Sequence, residues 1–247
     1  MPEKKIIGLI PTRLGSSRIP KKALINIDGL PMIVHTMKRA QLCSDLDRVI
    51  VCTDSMEIKK VVEKYGGEAI LTKKTHKTGT DRISEVAKKI NFDLAIDIQG
   101  DFPLLDPKSI TKLIKFHKKN NNFDIVVPSS PLKDPAPKSI VKVLMADNKS
   151  VLYLTRAEAP YPYYLKPSFF LKHMSIISFK RNSLINFNKL KQTKFEKIEG
   201  VELLRAIENN YEVGSFIINK DIFSVDVKKD YLRAIDLMPY DPIRKKY

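Results

Sequence analysis

Short apolar runs at residues 6–10, 47–52, 68–71 and 94–98 alternate with amphipathic stretches, and this rhythm limits the fold more than any other feature. Runs of that length, bounded by Gly, Pro or Asp, read as buried strands, and their near-continuous apolarity suits strands covered on both faces. The stretches between them carry helix signals. In PMIVHTMKRAQLC, Ile33, Met37 and Ala40 fall on one face, with Pro31 expected at the first helical position. SMEIKKVVEKYGG opens at a Thr53-Asp54-Ser55 cap and closes at Gly66-Gly67. PKSITKLIKFHKK has Asp106 as its cap and Pro107 at the first position. The expected fold is α/β, a doubly wound sheet with a parallel core.

The polar loop THKTGTDR is expected to lead into a helix, RISEVAKKI, and further strands are expected at 124–128 and 141–145. From about residue 150 the rhythm changes to extended segments rich in Tyr, Phe and Pro. One helix over FEKIEGVELLRAIENN, a strand over YEVGSFII and a closing helix over DVKKDYLRAIDLM follow. With no repeat and no clear linker, residues 1–247 read as a single domain, with about 150–195 as an insertion bearing a small extra sheet or flap.

The formal net charge of +16 raises three candidate partners: nucleic acid, an anionic membrane surface and anionic small substrates. The positive charges are mostly Lys and spread along the whole chain, which suits a solvated surface better than a nucleic-acid footprint. Zinc-finger, RNP and helix-turn-helix signatures are absent. No apolar run approaches the ~20 residues that span a bilayer, and MPEKK opens no signal-peptide segment. The only cysteines, Cys43 and Cys52, have no metal-ligand spacing, so a cytoplasmic setting without a structural disulfide is expected.

In open α/β sheets, ligands sit at the carboxyl ends of the strands. The first strand ends at Pro11 in a loop carrying Arg13, Gly15, Ser16, Ser17, Arg18, Lys21 and Lys22. Small residues, hydroxyls and cations together suit a polyphosphate, although neither the Walker A pattern nor G-x-G-x-x-G is present. A solvated basic turn remains the alternative. Other strand ends bring Thr53-Asp54, Gln99-Gly100-Asp101 and Val225-Asp226. An aspartate after a buried strand suits Mg²⁺, which takes one or two carboxylates together with phosphate oxygens. It equally suits a helix cap or turn.

IPTRLGSSRIPKKAL, HKTGTDR, QGDFPLL, HMSIISFKR, FEKIEGVELLRAIE and SVDVKKDYLRA occur in the order and spacing of one family. Over essentially its full length the chain resembles the 3-deoxy-manno-octulosonate (Kdo) cytidylyltransferases, or CMP-Kdo synthetases. The resemblance implies a mixed sheet of the nucleotide-diphospho-sugar transferase type, with a small dimerisation sheet and a homodimer. It implies transfer of CMP from CTP to an acidic 2-keto sugar, for lipopolysaccharide or other surface polysaccharide, with release of pyrophosphate. By matching motif positions, Arg13, Ser16, Arg18 and Lys22 would bind the triphosphate. Asp101 and Asp226 would hold Mg²⁺, and both would be catalytic together with Lys22. Thr80 and Arg82 would lie near the cytidine or the sugar, and Gln99, Arg156, His173 and Glu202 around the sugar and its carboxylate.

Several departures from the family pattern are visible. Lys21 stands where the family's R-x-P-G-K has glycine, and adds positive charge beside the expected phosphate site. Phe102, Ile177 and Leu203 stand where the family has a glutamate, a tyrosine and a glutamine, and Phe179 replaces a second tyrosine. These apolar replacements fall in the sugar half, whereas the nucleotide half is kept, Lys21 aside. A modified Kdo such as an amino-Kdo, or another 2-keto acid sugar, is the nearer alternative substrate. A basic nucleic-acid-binding module or a catalytically silent interaction protein is the alternative of another class. His35 and His117 read as surface or packing residues, and the aromatics Tyr153, Tyr161, Tyr163, Tyr164, Phe169 and Phe170 as packing for a small sheet and a subunit contact rather than base-stacking platforms.

Overall fold

The computed structural model describes residues 5–16, 18–133, 138–220 and 222–247, so Ser17 of the first loop and the leading MPEK lie outside the described residues. The chain divides into two compact units, residues 1–112 with 222–247 and residues 113–221.

The first unit begins with β1 (Ile6–Thr12), buried along almost its whole length. A short antiparallel ribbon follows, β2 (Asn26–Ile27) and β3 (Leu30–Pro31), then α1 (Met32–Gln41), β4 (Arg48–Thr53), α2 (Met56–Lys64) and β5 (Glu68–Leu71). Next come α3 (Gly79–Ala87) and β6 (Leu94–Ile98). β5, β4, β1 and β6 are adjacent in that order and all parallel, the core expected of a doubly wound α/β chain. Pro31 is the N-cap of α1 rather than its first helical residue, because β3 holds it extended at ψ 143. In α3, Thr78 accepts from the Asp81 amide while Asp81 accepts from the Thr78 amide, a capping box. That box starts the helix three residues before Arg82, so Thr80 and Arg82 are helical rather than part of a loop. The helix α4 (Pro107–Lys119) begins behind Asp106, whose carboxylate accepts from the Lys108 amide at 2.9 Å.

The second unit contains β7 (Ile125–Leu132), β8 (Lys142–Met145), β9 (Val151–Thr155), β10 (Phe170–His173), β11 (Ile176–Lys180), α5 (Arg181–Phe187), α6 (Lys194–Glu199), α7 (Leu204–Glu208) and β12 (Val213–Ile217). β7 pairs antiparallel with β10 and β11 and parallel with β12, and β8 lies antiparallel between β10 and β9. Parallel and antiparallel pairs together give the mixed architecture expected. The separate two-stranded sheet is the β2–β3 ribbon, while residues 150–195 supply β9, β10, β11 and α5 to the second unit. The single helix expected over 195–210 is two, α6 and α7. Gly200 is left-handed at φ 62 and stops α6, and the chain turns before restarting at Leu204.

The chain returns to the first unit through α8 (Lys228–Leu237). Ile19, Ile27, Met32, Val225, Ala234 and Met238 form one buried cluster, which joins the first loop, the ribbon, the start of α1 and the returning segment. Polar contacts reinforce it. The fully buried Arg39 donates to the Leu105 carbonyl at 3.2 Å and to the Tyr247 hydroxyl at 3.0 Å, and pairs with Asp241 at 3.2 Å.

His35 lies in the same network. Its Nε2 donates to the Ile27 carbonyl at 2.7 Å, which leaves Nδ1 to accept from the Tyr247 hydroxyl at 2.9 Å. Burial pulls the imidazole down to about 4, with help from Arg244 and Arg39 and against the Ile27 hydrogen bond. Unfolded His35 takes its proton near pH 6.5 and folded His35 only near 4. Its contribution to stability is thus complete above about pH 6.5 and lost as pH falls. Between pH 7 and pH 5 the loss from His35 should be about 2 kcal/mol. Urea midpoints across that interval check this, and a slope unchanged in His35→Asn would refute it.

Candidate active site

The carboxyl end of the parallel sheet opens into a cavity of about 270 Å³ in the first unit. Arg13, Gly15, Ser16, Arg18 and Lys22 line it from the first loop, and Gln99, Gly100 and Asp101 from the end of β6. His76, Lys77, Thr78, Gly79 and Arg82 complete the wall from the approach to α3. Gly100 is required by close approach, since a Cβ there would meet the Pro11 carbonyl oxygen at 3.0 Å. Five cationic side chains face one carboxylate among these lining residues. That excess suits a polyanion, and the alternative of a merely solvated basic turn does not account for the opposing carboxylate.

Lys22 organises the loop side. Its ammonium lies 2.7 Å from the Asp101 carboxylate, 3.6 Å from that of Asp226 and 3.0 Å from the Val225 carbonyl. Asp226 also meets the Arg18 guanidinium at 3.0 Å, and the Asp101 carbonyl accepts from the Val225 amide. Asp226 does not itself line the cavity. Burial pushes the Asp101 carboxyl above its ordinary value, with Asp226 adding to the rise and Lys22 opposing it. Two carboxylates facing one cation form a donor set that fits Mg²⁺, which accepts one or two carboxylates and completes its shell with water and phosphate oxygens.

Arg82 has a structural side as well. It is buried, pairs with Asp54 at 3.0 Å and donates to Thr72 Oγ1 at 2.6 Å. Asp54 also accepts from the Leu14 amide at 3.4 Å, so this aspartate links α3 to the first loop. Thr80 is buried within α3 and is not a lining residue, whereas Thr78 and Gly79 are. Gln99 lines the cavity and donates to Asp97 at 3.0 Å.

Lys21 does not add charge to the cavity. It keeps the left-handed backbone of a glycine at φ 49, and its ammonium turns to Glu57 at 2.9 and 3.0 Å. Left-handed backbone costs a non-glycine residue roughly 1–2 kcal/mol, and an exposed ion pair returns about 0–1 kcal/mol. Lys21→Gly should therefore leave the melting temperature unchanged or slightly raised, and the affinity of the cavity for a nucleoside triphosphate unchanged. A several-fold loss of that affinity in calorimetry would contradict this assignment.

Arg156, His173 and Glu202 belong to the second unit. The Arg156 guanidinium donates to four backbone carbonyls, those of Lys138, Ser139, Glu199 and Gly200, and so fastens two loops. His173 ends β10, and its burial, helped by Arg156, holds the imidazole down to about 4, so the ring is neutral at pH 7. Glu202 lies 3.9 Å from Arg205, which is committed to a buried pair with Glu196. The apolar replacements are core residues here: Phe102 is 4% exposed, Ile177 8% and Leu203 3%. Their side chains fill packing space.

Sequence reasoning passed over His76, Lys77 and Thr78 of the cavity wall. A signal for the last was present, because Thr78-Gly79-Thr80-Asp81 is a capping-box pattern.

A family model described as cytidylyltransferase matches residues 7–222. A 3-deoxy-manno-octulosonate cytidylyltransferase of Fusobacterium nucleatum subsp. nucleatum is 34% identical over 97% of this chain and 99% of its own length. An 8-amino-3,8-dideoxy-manno-octulosonate cytidylyltransferase of Shewanella pealeana is 36% identical over 90% of this chain and 94% of its own. Among solved structures, a CMP:2-keto-3-deoxy-manno-octonic acid synthetase complexed with CTP superposes with a TM-score of 0.92 at 31% identity, covering 96% of this chain and 99% of that one.

Proposed function

The chain belongs to the cytidylyltransferase family, and from that premise we propose that it transfers CMP from CTP to 3-deoxy-manno-octulosonate, with release of pyrophosphate. The observation that carries this reading is the cavity in which the cations of the first loop face Asp101. In the transfer, the anomeric hydroxyl oxygen of the sugar bonds to the α-phosphorus and the bond to the departing pyrophosphate breaks. The hydroxyl proton passes to water. Two anions must meet for this, so charge neutralisation and alignment are what the protein has to supply.

Arg13, Arg18 and Lys22 would bind the triphosphate and Ser16 would donate to it, in keeping with their place on the cavity wall. Asp101 and Asp226 would hold Mg²⁺, which would neutralise the phosphates and the leaving group when bound. Lys22, at 2.7 Å from Asp101, would then turn from carboxylate to phosphate. Gln99, His173 and Glu202 are proposed at the sugar, with His173 acting as a neutral hydrogen-bonding group rather than a cation. Arg156 is proposed to position Glu202 through the turn at Glu199 and Gly200 that it fastens.

An 8-amino sugar acid is the second reading, favoured by the Shewanella pealeana relative. Pyrophosphate release with Mg²⁺ separates the two, testing CTP and a panel of Kdo, 8-amino-Kdo and a nonulosonic acid. No release with any acceptor from a folded protein would sink both.

A homodimer is also proposed. Support comes from the solvent-facing Tyr161, Tyr163, Tyr164 and Leu165 in the second unit, an apolar run of a kind that marks interaction surfaces. Sedimentation equilibrium yielding only the monomer mass would refute it. No role with nucleic acid or membrane is proposed; among the described residues, no helix is long and apolar enough to cross a membrane.

A further inference from the structure

His76 stands on the cavity wall as one of its lining residues, in the approach to α3. Its Nε2 lies 2.7 Å from the Glu85 carboxylate. Glu85 lies in the last turn of α3 and is held in place from three sides. It accepts from the Lys73 amide at 3.0 Å and from the Lys89 ammonium at 3.0 Å, besides the imidazole. Burial works against its charge, but these hydrogen bonds hold its carboxyl down to about 2, so it is an acceptor throughout the physiological range. An ionised carboxylate can only accept, so Nε2 carries the ring proton. In the neutral ring this leaves Nδ1 as an acceptor.

The wall that His76 belongs to is otherwise rich in cations. The triphosphate offers the acceptor Nδ1 nothing, because phosphate oxygens are acceptors too. The groups of CTP that can donate to it are the ribose hydroxyls and the exocyclic amine of cytosine. The ribose hydroxyls are common to every ribonucleotide. The amine is the group that separates cytosine from uracil, which places a carbonyl oxygen at the same position. A site built to pair a donor rejects the analogue that lacks it, because the site's own acceptor is then left facing another acceptor.

We propose that His76 reads the cytosine base by accepting from its exocyclic amine, and that Glu85 is the positioning residue that fixes the ring tautomer for this purpose. This rests on the cytidylyl-transfer reading, but it is tested by nucleotide binding alone. Calorimetric titration of CTP and UTP at pH 8.5, without any sugar, measures the ratio of the two dissociation constants. The wild-type protein should favour CTP. His76→Phe and His76→Asn should each lower that preference about ten-fold, which is the worth of one hydrogen bond. Glu85→Gln should lower it by less, because its amide holds either tautomer.

An undiminished preference for CTP in folded His76→Phe and His76→Asn overturns the proposal. So does an equal loss of CTP, UTP and pyrophosphate affinity, which would make His76 a phosphate contact. A loss for CTP over dCTP with the CTP-to-UTP ratio kept would place the imidazole at the ribose and overturn it as well. Failure of the sugar panel in turnover would strike the functional reading and leave this ratio to be judged on its own.

Discussion

Asp101→Ala is expected to lower pyrophosphate release by about 10³-fold or more while the protein still binds CTP. Among the described residues, Asp101 is the single carboxylate on a cavity wall that carries five cationic side chains. Its removal takes away half of the carboxylate pair proposed for Mg²⁺. It also frees Lys22 from an ion pair of 2.7 Å. Without metal, CTP affinity should therefore stay the same or rise, since the released ammonium is available to phosphate. Asp101→Asn keeps the shape, removes the charge and should behave alike. Turnover within ten-fold of wild type in either variant, measured with saturating Mg²⁺ and CTP, would refute the metal assignment. A parallel collapse of turnover and CTP binding would point instead to a purely structural carboxylate.

Arg39→Ala should be the most destabilising change in the first unit, at about 3–5 kcal/mol. The guanidinium is fully buried, and removing it strands the Asp241 carboxylate and the Leu105 carbonyl. It also breaks the link from α1 through Tyr247 to the returning segment that carries Asp226. Arg39→Lys should recover little, because an ammonium cannot reproduce a fork that reaches three partners. Guanidinium chloride unfolding is the direct measure, and a loss below 1 kcal/mol for Arg39→Ala would show that the clamp is redundant. The two predictions separate chemistry from support. One variant should be stable and inactive, and the other should lose stability first.

Much of this arrangement is legible in the sequence because it is local. The strands at 6–10 and 94–98 announce themselves through apolarity, and the helices through caps and periodicity. The first loop shows its cations within ten residues. Pairings made across long separations are not visible in that way. Lys22 meets Asp226 across 204 positions, and only the six ordered motifs together hinted at it. Asp54 reads as a cap residue until the fold brings it to Arg82 and Leu14. His76 and Glu85 are nine residues apart, a distance with no meaning along a helix, because a turn separates the two. The break at Gly200 was the reverse case. A glycine that ends a helix and one tolerated inside it look the same until the backbone is seen to be left-handed. Lys21 misled for a related reason. Charge suggested the phosphate, but the backbone at that position aims the side chain toward α2.

The unequal charge of the cavity wall has a kinetic side. On the proposed reading, Arg13, Arg18 and Lys22, which line the cavity, would meet the outer phosphates of a triphosphate with the same groups that would meet free pyrophosphate. A grip of that kind does not distinguish substrate from leaving group. In a nucleotidyl transfer, little energy separates the bond broken from the bond made, so the reaction runs in either direction. Forward flux through such a site is then governed by how quickly the diphosphate departs and is hydrolysed elsewhere. A loop that would secure the nucleotide at the start of a cycle would thus also be what delays its end.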